Sequence, residues 1–548
     1  MKTDQANVQT LTGGDAIVES LKAHGVDTVF ALPGAQIYGL TDALARNSDS
    51  LRIYGARHEQ TSAYMAFGYA RSTGRPGVFT VVPGPGILNA SAAMLTAQGC
   101  NAPVLALTGD VMSPFKDRGR GQLHELPRQL EVLQSIGKWA AHIEQPAETS
   151  WRVAQAFQAM QSGRPGVVSL QASWDFFTQR AAVQIQQPLA LQPKPPVDTD
   201  AVDVAAKLLS QASNAMIFVG SGALDASAEV NQLAEVLGAP VVSFRGGRGV
   251  VSDDHPLGFT VAAGARIWAQ TDVAVVIGSR FELLDIRWRH RPAGLKLIRI
   301  DIDPAEVRRI AADVNLVADA ADGAAALAQA VLKHGAPKRR DAQLAETKAA
   351  AEQAIQCVQP QLDYLRVIRD VLPRDGFFIE EISQVGFTSI FGFPVYKPRT
   401  LVTSGHQGTL GFGFPTALGV KAAHPDKAVV SICGDGGFMF AAQELATAVQ
   451  YKLNLVTLVF NNNAFGNVYR DQQESFGGRL LGSELVNPDF VKFAEAFGVE
   501  AHRVDSPARL RPVLDRAFAA DKPVLIEITV PRGSDSSPWQ FLHPSFSH

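Results

Sequence analysis

Residues 434–466 read GDGGFMFAAQELATAVQYKLNLVTLVFNNNAFG, and this stretch decides the fold. Gly434-Asp435-Gly436 is a turn signal, Leu455 to Phe460 (LVTLVF) is an apolar run of strand length, and Asn461-Asn462-Asn463 closes it. The interval between Asp435 and Asn462 holds one turn, one helix and one buried strand, which makes a single βαβ crossover. A crossover sets its two ends side by side at the carboxyl edge of a parallel sheet, where open α/β sheets take their ligands. A carboxylate and an amide oxygen meeting there, beside glycines that admit close approach, suit a hard cation such as Mg²⁺ carrying phosphate.

Outward from this segment the same rhythm recurs. Toward the N-terminus, Thr12-Gly13-Gly14-Asp15 introduces an amphipathic helix that stops at Gly25. Strand-like VDTVFALPGAQ ends in a Pro33-Gly34 turn just before Gln36. LRIYGAR leads into Arg57-His58-Glu59-Gln60 and a helix of small residues. GVFTVVPGPG and APVLALTGD supply two more strands. Alternating strand and helix imply a parallel α/β sheet over residues 1–185. A proline-rich connector at 186–200 precedes a second set of strands (AMIFVGSGA, APVVSF, TDVAVVIGSRF, LKLIRIDIDP), giving a middle α/β domain at 197–335. A charged, alanine-rich stretch leads into the third domain, 355–530, and an aromatic tail occupies 531–548.

Composition narrows the functional classes. A chain of 548 residues exceeds one core. With 46% hydrophobic and 19% charged residues it has no disorder signature, and its net charge of −3 gives no reason to expect nucleic acid or an anionic membrane. Cys100, Cys357 and Cys433 are far apart and odd in number, which suggests neither a disulfide framework nor a zinc site and fits a reducing cytoplasm. No targeting segment or membrane-length apolar run is read, so a cytoplasmic protein is expected.

The GDG…NN pair resembles the thiamine diphosphate (ThDP) fingerprint of 2-oxo acid decarboxylases and carboligases. "RHEQ" followed by AFGYAR, PGPGILN, and TSGHQGTLGFGFPTALG (403–419) resemble the acetolactate synthase-like members, and the likeness runs nearly the whole chain. It implies three open parallel-sheet α/β domains, namely pyrimidine-binding, middle and diphosphate-binding. It assigns Mg²⁺ to the side chains of Asp435 and Asn462 and the carbonyl of Ala464. Ile382, Ser383, Gln384, Gly436, Gly437, Phe465 and Gly466 fall at the diphosphate, Gly84 and Asn89 near the thiazolium, and Gly408 beside the pyrimidine. Leu410 takes the place of the bulky residue that bends the cofactor. Glu59 matches the glutamate that hydrogen-bonds a ring nitrogen of the aminopyrimidine, a position where a carboxyl can exchange a proton.

The resemblance further implies a 2-oxo acid such as pyruvate as substrate, loss of CO₂ and transfer of the acyl unit to a second carbonyl. It also implies a homodimer or homotetramer, with the cofactor between the first domain of one subunit and the third of another. Decarboxylation or C–C lysis without carboligation, and flavin-dependent oxidation in the manner of pyruvate oxidase, are the alternatives. FAD on the middle domain would involve Gly220, Ser221, Gly222, Arg245 and Arg280, but the Arg-Phe-Asp-Asp-Arg run of flavin-binding relatives is broken at Glu282-Leu283-Leu284, so a domain without nucleotide is equally open. Departures concentrate at the substrate end. Leu123-His124-Glu125 stands for Phe-Gln-Glu, and Asp471 lies near the position of a substrate-selecting tryptophan. His124, able to shuttle protons near neutrality, and Gln36 are the candidates for facing substrate; Arg470 either binds a carboxylate or is structural. The tail, with Trp539, Phe541 and His543, is either a lid or an interface segment.

Overall fold

Three six-stranded parallel sheets carry the chain, as seen in a computed structural model that describes residues 8–288 and 290–544. In spatial order the first sheet runs Arg52–Gly55, Thr28–Ala31, Gly77–Val81, Val104–Asp110, Val168–Ser173 and Trp139–Ile143. The second runs Gly258–Phe259, Val241–Ser243, Ala215–Val219, Val273–Ile277, Lys296–Asp301 and Val314–Val317. The third runs Leu401–Val402, Phe377–Ile379, Val429–Gly434, Val456–Asn461, Val524–Thr529 and Glu500–Val504. An antiparallel pair, Val8–Thr12 with Arg180–Gln184, stands apart from them. This is the α/β architecture expected from the alternating pattern. Each of the first two sheets has two strands more than the four read from sequence. WAAHI, the strand Trp139–Ile143, is one of them, short and with two alanines.

The chain divides into two compact units. One comprises residues up to Pro193 with Ser404–Pro425 and Phe440–Asn454; the other holds Lys194–Thr403, Asp426–Met439 and the remainder from Leu455. The first seven residues and the last four of the aromatic tail lie outside the described residues.

Within the first unit, helix Glu59–Thr73 is buried along almost its whole length, which its small residues allow. A Cβ on Gly68 would fall 2.2 Å from the carbonyl of Thr416, and one on Gly419 2.0 Å from that of Met65. Helices Glu59–Thr73 and Gly413–Ala423 therefore cross backbone to backbone, and any side chain at either glycine would force them apart. This crossing fixes the helix whose first residue is Glu59. In the second unit, strands Val429–Gly434 and Val456–Asn461 are parallel neighbours, with Gly434 opposite Phe460. Both are near-continuous apolar runs, as strands covered on both faces must be, and they end together at the carboxyl edge. Among the described residues no helix is long and apolar enough to cross a membrane.

Candidate active site

Asp435 begins a short helix, Asp435–Phe438, directly after its strand. Its side chain is 2% exposed, and burial pushes its carboxyl up, against the N–H donors that favour the charged form. Oδ2 accepts from the backbone N–H of Ala464 (3.2 Å), and the same N–H reaches Oδ1 of Asn462 at 3.1 Å. The carboxylate and the amide oxygen read from the sequence as a pair thus converge on one hydrogen. Asn487, unnoticed in the sequence, completes the cluster. Its Nδ2 donates to Asp435 Oδ2 (2.7 Å), Asn461 Oδ1 (3.1 Å) and Asn463 Oδ1 (3.3 Å). An antiparallel bridge between Ala464 and Glu484 closes the loop, with Phe465 N–H donating to Ser483 O and Leu485 N–H to Asn463 O.

The glycines of this edge have local reasons to be glycine. A Cβ on Gly436 would lie 2.4 Å from the Phe465 ring, and one on Gly466 2.9 Å from Asn462 Nδ2. Gly437 faces the Glu381 carboxyl at 3.3 Å. Ser383 caps helix Gln384–Gly392, accepting from Gly386 N–H at 3.1 Å. Gln384 Oε1 accepts from Arg470 (2.8 Å), whose guanidinium also pairs with Asp535 at 2.9 Å with both side chains well buried. Arg470 thus engages Asp535 and Gln384 within the chain. The described part of the tail packs on the same unit. Trp539 Nε1 donates to Asn467 Oδ1 (2.8 Å), its ring lies 4.8 Å from that of Phe387, and Arg287 reaches His543 Nε2 at 2.9 Å.

The first unit gathers another set. His58, in extended conformation, caps helix Glu59–Thr73 through Nδ1, which accepts from Gln60 N–H at 3.2 Å. Glu59 is half-buried. Its Oε2 accepts from Asn89 Nδ2 (3.1 Å), and its Oε1 stands 3.5 Å from where a Cβ on Gly86 would be. Gly84 adopts φ 58°, ψ −115° at the start of helix Pro85–Gly99, a conformation reserved for glycine, and a Cβ there would strike the carbonyl of His124 at 2.4 Å. His124 Nδ1 lies 2.8 Å from Gln36 Oε1, and Gln36 Nε2 donates to Leu123 O at 2.7 Å. Gln36 and His124, read separately from the sequence, form one hydrogen-bonded pair. Gly408 (φ 56°) and Leu410 also belong to this unit, where Thr409 Oγ1 meets Thr96 Oγ1 at 3.0 Å.

Glu444 carries no comparable signal in the sequence. It is fully buried, both carboxylate oxygens accept from the Arg57 N–H (3.1 Å each), and Thr447 donates to Oε2. Burial pushes its carboxyl up. It therefore anchors the backbone two residues ahead of Glu59. In the sequence it is simply one polar residue within AAQELATA.

In the middle domain, Gly220 and Gly222 face the backbone of Gly278 and Ser279, where added Cβ atoms would meet Gly278 O at 2.3 Å and Gly278 Cα at 2.8 Å. Their smallness serves the packing of two strand-end loops. Arg245 stacks on Phe244 (5.3 Å) and Arg280 approaches Glu306 (3.9 Å).

The donor set at Asp435 fits a hard cation on chemical grounds. It is all oxygen with a single carboxylate, so further anionic oxygens are required, and a diphosphate supplies them. Among the described residues no three His, Cys, Asp or Glu side chains cluster as a self-sufficient metal site.

Comparison with known proteins agrees in extent and order. The N-terminal TPP binding domain of thiamine pyrophosphate enzymes matches residues 11–132, the central domain 202–327 and the C-terminal TPP binding domain 382–528. A probable acetolactate synthase large subunit of Methanocaldococcus jannaschii is 32% identical over 95% of this chain and 92% of its own. The chain belongs to the acetolactate synthase-like family of thiamine diphosphate-dependent enzymes. The enzyme is also similar to the acetolactate synthase of Arthrospira platensis (30% identical, 98% of this chain, 97% of the relative). It resembles as well a probable 2-ketoarginine decarboxylase of Pseudomonas aeruginosa (32% identical, 95% of this chain, 94% of the relative).

Proposed function

We propose that the enzyme is a ThDP- and Mg²⁺-dependent carboligase of the acetolactate synthase type, acting on a 2-oxo acid such as pyruvate and a second carbonyl compound. The observation that carries this reading is the convergence of Asp435 Oδ2 and Asn462 Oδ1 on the Ala464 N–H at the carboxyl edge of the third sheet. These two side chains and the Ala464 carbonyl would hold Mg²⁺. Ile382, Ser383, Gln384, Gly436, Gly437, Phe465 and Gly466 would bound the diphosphate, and Gly84, Asn89, Gly408 and Leu410 the two rings. When bound, ThDP supplies a nucleophilic carbon for the substrate carbonyl and accepts the electron pair released as CO₂ departs.

The chain's own residues do the rest. Glu59 holds and returns a proton at the pyrimidine ring nitrogen, oriented through the Asn89 amide. His124, tied to Gln36, faces the substrate end and moves a proton to or from its oxygen. Glu59 and Asp435 fall in different units. Helix Pro85–Gly99, which carries Asn89, exposes Leu88 and Leu95, each 43% accessible. Both facts support a homodimer or homotetramer in which two copies share each cofactor. A cytoplasmic location and the three-domain division at 1–185, 197–335 and 355–530 are parts of the same proposal.

A second reading, decarboxylation without carboligation, is supported by the similarity to the 2-ketoarginine decarboxylase and by Asp471 near the expected tryptophan. A panel of 2-oxo acids, each with and without an aldehyde acceptor, separates the two when CO₂ and products are followed by mass spectrometry. Coupled products support carboligation, free aldehyde alone supports the second reading, and no CO₂ from any acid refutes both. Flavin-dependent oxidation requires FAD on the middle domain, and absorbance of the purified protein near 450 nm tests for it.

A further inference from the structure

Behind the Gln36–His124 pair lies a buried chain of amides that no part of the proposed chemistry uses. Gln129 is the first residue of helix Gln129–Ile136, and its side chain turns inward, 3% exposed. Its Oε1 accepts from the Gly84 N–H (2.9 Å), and its Nε2 donates to Gly109 O (2.9 Å) and to Gln171 Oε1 (3.2 Å). Gln171, on the neighbouring strand, donates in turn from Nε2 to Asp110 Oδ2 (3.1 Å) and lies 3.1 Å from His142 Nδ1.

The polarity of this chain is determined. The Asp110 carboxylate accepts, so Gln171 must present its NH₂ there and its oxygen to Gln129. Gln129 must then present its own NH₂ to Gln171 and Gly109 and its oxygen to Gly84. Reversing either amide would set donor against donor and acceptor against acceptor in a buried space, at a cost for each unmatched group.

The two backbone points that Gln129 grips are the seats of the substrate-end pair. Gly84 packs against the His124 carbonyl, with 2.4 Å left for a Cβ. Gly109 packs against Gln36, with 2.7 Å to its carbonyl and 3.0 Å to its Cβ. The turn that starts at Gly84 continues to Gly86 and Asn89, which border Glu59. One amide therefore spans the gap between the backbone under His124 and the backbone under Gln36.

We propose that Gln129 is a positioning residue for the reaction: through Gly84 and Gly109 its side-chain amide sets the spacing and orientation of His124 and Gln36. Gln171 and Asp110 fix which way that amide points. The proposal rests on the reading that His124 and Gln36 face the substrate, and its test keeps the two apart.

The Gln129→Met variant fills the same space without hydrogen bonds. It should lower kcat/KM for the accepted 2-oxo acid about 10- to 100-fold, the range that misplacement of a substrate-facing group by about 1 Å produces. Coupling to the pair is the decisive readout. His124 has a left-handed backbone (φ 58°), so in a His124→Gly background, where glycine accepts that conformation freely, the same change should cost less than about threefold. An equal factor in both backgrounds, or an unchanged kcat/KM, overturns the proposal. If Gln129→Met does not fold, Gln129→Glu serves. Its carboxylate opposes Gly109 O and Gln171 Oε1, so its deficit relative to wild type should shrink as acid protonates it. A deficit independent of pH overturns the proposal. Crystal structures of wild type and variant read the same point without turnover. A His124–Gln36 pair unmoved in the variant overturns the positioning role, whereas wild-type inactivity on every 2-oxo acid counts against the function above.

Discussion

Acid should weaken the first unit through one histidine. His142 lies within strand Trp139–Ile143, 8% exposed, beside Gln171. Gln171 presents its NH₂ to His142 Nδ1, so that nitrogen accepts and the ring carries its single proton on Nε2, 3.7 Å from Glu144 Oε2. A second proton would have to sit on Nδ1 and face another donor. Burial, reinforced by the Lys116 charge, accordingly pushes His142 down from 6.5 to about 4. Glu144, Glu148 and Asp117 act in the opposite sense. Because the folded pKa is the lower one, the unfolded chain takes up the proton first. The stability due to neutral His142 is therefore complete above pH 6.5 and is lost as the pH falls toward 4.

Between pH 7.5 and pH 5 the two pKa values give a loss of about 2 kcal/mol. Asp110, whose carboxyl burial pushes up, contributes with the opposite sign, so the histidine must be isolated by comparison. His142→Asn keeps an acceptor close to the position of Nδ1 and removes the titration. Urea unfolding of both proteins at the two pH values, followed by tryptophan fluorescence, gives a difference of differences from which any pH-independent cost of the mutation cancels. Wild type should lose about 2 kcal/mol more than the variant on acidification. Equal losses would refute the reasoning, because they would mean that His142 either is charged in the folded protein or titrates normally there.

Glu59→Gln should abolish turnover while calorimetry still detects ThDP and Mg²⁺ binding; undiminished activity would remove Glu59 from the chemistry. Asp435→Ala should lose cofactor affinity itself by at least about 100-fold, since the one carboxylate of the oxygen cluster is gone; retained affinity would move the metal elsewhere. Asp535→Ala leaves the buried Arg470 charge uncompensated, a loss of about 3–5 kcal/mol when the partner cannot relax. The tail should then become susceptible to protease beyond Thr529 before the sheets unfold, and a cleavage pattern identical to wild type would show that the pair does not hold it.

What could be read from the sequence follows the reach of local pattern. LVTLVF between GDG and NNN announces a buried strand between two loops, and parallel-sheet geometry then requires Asp435 and Asn462 to meet. Glu59 is legible as a first helical residue because LRIYGAR ends and a small-residue helix begins around it. Asn487 is not legible in this way. It lies in an irregular segment, and its selection of Asp435, Asn461 and Asn463 as partners is a tertiary fact that no periodicity encodes. Glu444 and Gln129 sit in ordinary helical pattern, and what distinguishes them is an inward-facing polar group matched to a backbone N–H far along the chain. The glycines at 436 and 466 were legible as glycines needed for close approach, but the approach seen within this chain is by Phe465 and Asn462.

The residue set of each unit differs in how its hydrogen bonds are arranged, and that difference bears on what each can do. In the first unit the amides of Gln129 and Gln171 have their donors and acceptors matched, which favours one rigid arrangement beneath His124 and Gln36. At the third sheet hydrogens are shared between oxygens instead. Asn487 brings two hydrogens to three oxygens, and the Ala464 N–H is divided between one of these, Asp435 Oδ2, and Asn462 Oδ1. The Asn463 and Gly436 N–H groups add donors to Asn461 Oδ1 and Asp435, so several oxygens are held around one buried carboxylate, a set that would suit a hard cation. On the proposed function, the matched amides would keep His124 and Gln36 in one arrangement, and the oxygens around Asp435 would take the metal that carries the cofactor.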